Sequence, residues 1–329
     1  MTQLVEAGVE VLPTGCACVQ SGELGVALSG GAARALAQVG VLKVLDRQGI
    51  PVSYVAGTSG GAVIGAVFVT SGDALEAEER ILRHLRTSGT GFNIETFAAL
   101  GGRAAGPRGL VDAVRAVWRA RRGKGALVGG KEMRDSLRQL LGATPFEATR
   151  IPFATAALDL VTGQRMIFAG GPLVDGVYAS SAIPGLFEPL RLGNHILVDG
   201  GWAEPVPVNT CRHLGAIHVL AVDVSGRGAP DDVRGPVGTA LQADAAARQL
   251  LEERQLGEAD FVVRPDVAAR HFADFGDPER LIAAGERAAE ASLAQIAAVL
   301  ERHRSLFVRP LTRRSRRDVD GTCGPEEEA

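Results

Sequence analysis

Residues 52 to 69, VSYVAGTSGGAVIGAVFV, carry the reading on which the fold turns. A short apolar run from Val52 to Ala56 leads into Gly57-Thr58-Ser59-Gly60-Gly61, and an almost wholly apolar stretch follows from about Gly60 to Val69. The first run predicts a buried strand, and the second predicts a helix that is hydrophobic on most sides and therefore covered. The five residues between them match G-x-S-x-G. A strand-to-helix turn this sharp admits only small flanking residues, here Gly57, Gly60 and Gly61, and lifts the Ser59 hydroxyl above the sheet edge. The partial positive charge at the start of the helix favours negative charge developing beside that hydroxyl. The competing reading is a tight turn whose glycines only allow helix and strand to pack closely.

Immediately upstream the same pattern occurs once more. Leu24 to Leu28 (LGVAL) reads as a strand, Ser29-Gly30-Gly31-Ala32-Ala33-Arg34 as a turn, and Ala33 to Gln48 as a helix stopped by Gly49. Strand, helix, strand, helix with short connections predicts an α/β fold whose mainly parallel central sheet is covered by helices. Consecutive backbone N–H groups at a helix start form an anion-binding concavity, either a phosphate cradle or an oxyanion hole. The phosphate reading lacks its signatures. Ala32 and Ala35 stand where G-x-G-x-x-G requires glycine, no Lys-Ser/Thr completes a P-loop, and Asp46 falls inside the predicted helix. An oxyanion hole needs only backbone donors.

A third element lies far downstream, at Val198-Asp199-Gly200-Gly201, where a predicted strand (His195 to Val198) ends ahead of Pro205 and Pro207. A carboxylate between a strand end and two glycines can be held rigidly beside a hydroxyl. A Ser–Asp pair performs general-base chemistry without an intervening imidazole, so it requires a direct hydrogen bond. The competing readings are an ordinary Asp-Gly turn and a Ser-His-Asp triad. The hydrolase order would be met by Ser59, Asp223 and His271, or by Ser59, Asp199 and either His213 or His218.

Composition narrows the classes. The chain has 329 residues, 46% hydrophobic and 22% charged, with a net charge of −3, which gives no reason to expect nucleic acid as a partner. Four cysteines, with only Cys16 and Cys18 close together, form neither a disulfide framework nor a zinc pattern, and thiols in a reducing compartment are expected. No signal peptide is visible, and the longest apolar stretch, Ala62 to Val69, is too short to span a bilayer, so a cytoplasmic protein with at most peripheral membrane contact is expected.

The predicted organisation is a leader over residues 1–22, one α/β domain over 23–310, and a disordered tail over 311–329. Within the domain, residues 73–142 read as a helical insertion covering one end of the sheet. Its loops at 89–93 and 101–109 suit a lid, and Phe92, Phe97 and Trp118 are candidates either for an acyl channel or for ordinary core packing. Further strand signals fall at Ile151 to Leu158, Arg165 to Phe168, Ile217 to Val222 and Phe261 to Val263, and an Ala-rich helix at Pro278 to Arg302. The Arg313 to Arg317 cluster reads either as a site for anionic headgroups or as a solvated end.

The three motifs together resemble the patatin-like phospholipase family, in its compact bacterial form. The glycine-rich turn, the G-x-S-x-G about thirty residues later and the distant D-G-G stand in that family's order. Tyr54 to Ser59, Ala179 to Pro189 and Val206 to Val208 resemble the surroundings of its motifs. The likeness covers roughly residues 24 to 225, with a weaker continuation to about 300. It implies a three-layer fold and a hydrolase of lipid acyl esters, acting on phospholipids, lysophospholipids or neutral lipids without metal or nucleotide. By the same resemblance Ser59 attacks the carbonyl, Asp199 accepts its proton, and the N–H groups of Gly31 and Ala32, with Gly30 shaping the turn, hold the oxyanion. Gly200 and Gly201 support Asp199. Arg34 matches the family's basic residue, with either a structural role or affinity for a lipid phosphate. Two glycines usual in the family are replaced by Ala32 and Ala35. If Ala32 requires positive φ, its Cβ strains the turn by about 1–2 kcal/mol. That leaves a second expectation, a catalytically weak lipid-binding or regulatory protein of the same fold.

Overall fold

The computed structural model describes residues 24–87, 130–226 and 235–307. The leader, the middle of the helical insertion with its lid loops and aromatic residues, and the tail lie outside the described residues. Two compact units separate, Met1–Leu293 and Ala294–Ala329, and the site lies within the first.

The strands are β1 (Leu24–Leu28), β2 (Tyr54–Gly57), β3 (Phe153–Asp159), β4 (Arg165–Phe168), β5 (Leu190–Leu192), β6 (His195–Asp199), β7 (His218–Val222) and β8 (Phe261–Val263). The helices are α1 (Leu36–Arg47), α2 (Gly60–Thr70), α3 (Ala74–Thr87), α4 (Gly130–Leu141), α5 (Leu173–Ser181), α6 (Val208–His213), α7 (Gly235–Leu256) and α8 (Pro278–Phe307). One sheet runs in the order β5-β6-β3-β2-β1-β7-β8, with β4 also paired to β3. The pairings among β3, β2, β1, β7 and β8 are parallel, whereas β4 and β6 join β3 antiparallel and β5 joins β6 antiparallel.

Side chains alternate across a strand, and the alternation explains the layers. Ala27, Ala56, Ala154 and Ala221 form one core with Val208, Cys211 and Leu214 of the α6 segment and Leu256 of α7. Leu28 and Phe153, one residue out of phase, face α2 at Gly65 on the opposite side. Small residues on one face let α6 approach closely: a Cβ at Gly25 would lie 2.5 Å from the Cys211 sulfur. The result is a helix–sheet–helix sandwich, as the alternating pattern of elements predicts. α2 is buried almost all round, in keeping with its apolar sequence.

The mixed half of the sheet sets up the site. Thr155 pairs with Gly57 of β2 and with Phe168 of β4, while Ala157 and Leu158 pair with both β4 and β6. A strand has two hydrogen-bonding edges, so β4 takes one and β2 and β6 share the other. β2 runs parallel to β3 and ends opposite Thr155, and β6 runs antiparallel and ends opposite Ala157. Their C-terminal ends point at each other along one edge of β3. Residues 58–60 and 199–201 are thereby brought together from opposite directions.

Candidate active site

Ser59 is the N-cap of α2, at φ 55 and ψ −122, a conformation that L residues rarely adopt. The turn is locked from outside. The Ser59 N–H donates to the carbonyl and the hydroxyl of Ser180, each at 3.1 Å, and the Ser181 hydroxyl donates to the Ser59 carbonyl at 3.2 Å. The Thr58 N–H donates to the Leu28 carbonyl at 3.1 Å and its hydroxyl to the Glu204 carbonyl at 2.7 Å. Gly57 closes β2 and Gly61 is the second residue of α2. Gly60 lets this turn approach the preceding one: a Cβ there would stand 2.8 Å from the Ala35 Cβ and 3.0 Å from the Ala32 nitrogen.

Asp199 ends β6 and is only 2% exposed. Its N–H donates to the Ala182 carbonyl at 2.9 Å, and its Oδ1 accepts the Gly201 N–H at 2.7 Å. Burial raises the carboxyl from the ordinary aspartate value to about 6, against the nearby Ser59 hydroxyl, the Gly201 N–H and the positive charge of Arg248, which all favour the ionised form. Gly200 brings this loop onto the sheet, since a Cβ there would lie 2.2 Å from the Ala156 carbonyl oxygen.

The glycine-rich turn after β1 completes the cluster. Its Gly30 N–H is engaged by the Pro205 carbonyl at 3.0 Å, so Gly30 shapes the turn rather than offering a donor. The N–H groups of Gly31, Ala32 and Gly60 have no acceptor among the described residues. Ala32 has φ 47, in the left-handed region, which meets the condition for backbone strain at this position. The loop from Gly200 to Pro207 thus does three things at once. It carries the carboxylate at its start, holds Thr58 through Glu204 and holds Gly30 through Pro205. The Glu204 carboxylate is itself buried, paired with Arg165 at 2.9 Å and accepting from Thr210.

Arg34 lies outside this cluster. Its guanidinium donates to the carbonyls of Arg270 at 2.8 Å, Ser225, and Gly226 at 3.4 Å, which is the structural role. The histidines proposed for a triad are placed elsewhere. His218 faces Asp260, His271 rests against Phe272, and His213 bonds the Asn209 carbonyl. Asp223 pairs with Arg264 and Ser225.

Ser59, Gly60 and Ala32 line a largely apolar cleft that opens to solvent. Its walls include Ile81 and Leu85 of α3, Leu140 of α4, Phe187 and Phe275. His84, also in the wall, bonds the Ser136 hydroxyl at 2.9 Å and has its pKa lowered by burial. The described flanks of the predicted helical insertion therefore wall the cavity. Sequence reasoning did not assign roles to Thr58, Ser180, Ser181 or Glu204. Ser180 and Ser181 did fall in the segment that resembles the family, which was their only signal. Among the described residues no cluster suits a metal ion, and no helix is long and apolar enough to cross a membrane.

Comparison with known proteins gives a family match. The family model for patatin-like phospholipase matches residues 26–212. A patatin-like phospholipase domain-containing protein of Caenorhabditis elegans is 32% identical over 203 residues, covering 61% of this chain and 13% of that protein. The neuropathy target esterase of Drosophila melanogaster is 27% identical over 211 residues, covering 64% of this chain and 13% of its own length. The chain thus spans a small fraction of these relatives. Among solved structures, human GIVD cytosolic phospholipase A2 aligns over 85% of this chain and 60% of its own, at 12% identity and a TM-score of 0.45.

Proposed function

The chain belongs to the patatin-like phospholipase family, and from that premise we propose that it is a lipid acyl hydrolase working through a Ser59–Asp199 dyad. The observation that carries the reading is the convergence of a strained, cavity-lining serine on a buried carboxylate, with no imidazole acting on that carboxylate among the described residues. In the first step Ser59 Oγ attacks the ester carbonyl carbon and its proton passes to Asp199. The tetrahedral oxyanion is held by the N–H groups of Gly31, Ala32 and Gly60, which have no other acceptor among the described residues. Asp199 then gives the proton to the departing alcohol oxygen, leaving an acyl-enzyme on Ser59. Water attacks that ester with Asp199 again taking the proton, the bond from the acyl carbon to Ser59 Oγ breaks, and Asp199 returns the proton to Oγ as the fatty acid leaves. A carboxyl shifted to about 6 is ionised at neutral pH yet more basic than a free aspartate, as a general base requires.

The apolar cavity suits an acyl chain, with phospholipids or lysophospholipids at a membrane surface as the substrate class. One observation favours a second reading, a lipid-binding protein of weak activity: Ala32 holds a left-handed backbone at the proposed oxyanion turn. Hydrolysis of p-nitrophenyl butyrate and of lysophosphatidylcholine, measured beside Ser59→Ala, separates the two. The dyad reading expects turnover that falls by about 10³-fold or more in the folded mutant. Equal rates in both proteins would overturn it, and lipid binding with no Ser59-dependent turnover would establish the second reading.

A further inference from the structure

The groups surrounding Asp199 include one full positive charge that the dyad does not use. Arg248 is carried on α7, beyond the family-matched residues, and its placement is built rather than incidental. The guanidinium stacks over the Trp202 ring, 4.7 Å from its centroid, and its Nε donates to Asp244 Oδ2 at 3.0 Å. The Trp202 indole N–H donates to the other oxygen of Asp244 at 2.8 Å. Trp202 lies three residues after Asp199, at the end of the short turn that begins with Gly200. Indole, carboxylate and guanidinium thus close a ring that fixes the loop of the base to α7.

We propose that Arg248, braced by Trp202 and Asp244, is a positioning residue for Asp199, holding its loop and supplying the positive charge that keeps the carboxylate available as a base. The proposal rests on the dyad reading. Among the described residues, the other elements packed against Asp199 supply no competing cation. α2 presents the Ser59 hydroxyl, the chain after α5 the Ala182 carbonyl, β3 the uncharged Ala157, and the turn itself the Gly201 N–H. The nearby Glu204 is directed to Arg165 and Thr210, and Asp244 is shared by Trp202 and Arg248. Arg248 also favours the ionised form of Asp199. Its side chain is 39% exposed, so solvent screens it and the effect is modest.

The test is the pH dependence of kcat/KM for a short-chain ester, in wild type, Arg248→Met and Arg248→Lys. Arg248→Met should move the acid limb upward by about half a unit to one unit, with a smaller loss on the alkaline plateau from the loosened loop. Arg248→Lys, which retains the charge, should keep most of the wild-type limb. An unmoved limb in Arg248→Met overturns the proposal, as does a fall at every pH that lysine does not rescue. The carboxyl carbon of Asp199, identified in ¹³C-aspartate-labelled protein by its loss in Asp199→Asn, gives the same midpoint without catalysis. Should Arg248→Met not fold, Arg248→Gln replaces it, and its midpoint should rise in the same way because the charge is lost. A midpoint that does not rise overturns the proposal. If the wild type lacks Ser59-dependent turnover but the midpoints move as stated, the dyad reading fails and the electrostatic role of Arg248 survives.

Discussion

Two strand-to-helix turns stand side by side at the C-terminal ends of β1 and β2, and each forces a residue other than glycine into positive φ, Ala32 at 47 and Ser59 at 55. They differ in how that conformation is held. Ser59 is clamped at both its N–H and its carbonyl, by Ser180 and Ser181. At the other turn the clamps fall on the neighbours: Ser29 binds Val222, Gly30 binds Pro205 and Ala33 binds Phe272. The Ala32 N–H itself has no acceptor among the described residues. The contrast suits the two proposed roles. A nucleophile must be fixed in place, whereas an oxyanion donor must be left open, and both are strained because the chain has to present them at a tight corner.

The contrast can be broken from either side. The largest expected effect is at the base that serves the clamped turn. Asp199→Asn should lower kcat for ester hydrolysis by about 10³-fold or more, with the protein still folded. The same change should leave stability unharmed or improved above pH 6. The folded carboxyl titrates near 6, above the 3.8 ordinary for aspartate, so the folded state binds its proton more tightly than the unfolded state. That contribution is present below about 3.8 and is lost as pH rises through about 6, a loss on the order of 3 kcal/mol. Asn has no such loss, and denaturant midpoints at pH 4 and pH 8 measure the difference.

Next in size is Gly60→Ala, which drives a Cβ between the two turns, at 2.8 Å from the Ala35 Cβ and 3.0 Å from the Ala32 nitrogen. Spreading the turns should cost about 10²-fold in kcat while binding of a lipid analogue is largely kept. A rate near wild type would mean that the close approach of the turns is unimportant. The acid limb of kcat/KM should follow the base, losing roughly tenfold per unit below a pKa of about 6. A limb near 4 would remove burial as the factor that sets the base. The smallest effect is at Ala32→Gly, where relief of about 1–2 kcal/mol of strain is partly offset by about 0.5–1 kcal/mol of backbone entropy. A net gain of up to about 1.5 kcal/mol in unfolding free energy is expected, and a loss would show that Ala32 is at ease in its turn.

The parallel half of the molecule was legible because its signals are local. Apolar runs ending in glycine place β1, β2 and the start of α2 to within two residues, and the helix expected from Ala33 begins as a short 3-10 turn over Ala32–Ala35 before becoming α-helical at Leu36. Ser59 and Asp199 were legible as motifs of small residues. What joins them was not. The meeting of β2 and β6 depends on which edge of β3 each strand takes, a property of pairing that no local pattern encodes. Thr58 and Glu204 are 146 residues apart, and Ser180 reaches Ser59 across 121. They are ordinary residue types whose bonds exist only once the sheet is assembled. β5 is too short, at three residues, to stand out, and α7 mixes charged and apolar residues without a continuous stripe, so periodicity gave no sign of it. Arg34, open to either role in the sequence, becomes structural because three carbonyls converge on it.

The account rests on Ser59 being made nucleophilic by Asp199, and labelling with a fluorophosphonate tests that step without a choice of lipid. Wild-type protein should take up one label, located by mass spectrometry on Ser59, and Asp199→Asn should label about 10²-fold more slowly or not at all. Labelling at another serine, or an equal rate in Asp199→Asn, would contradict the dyad.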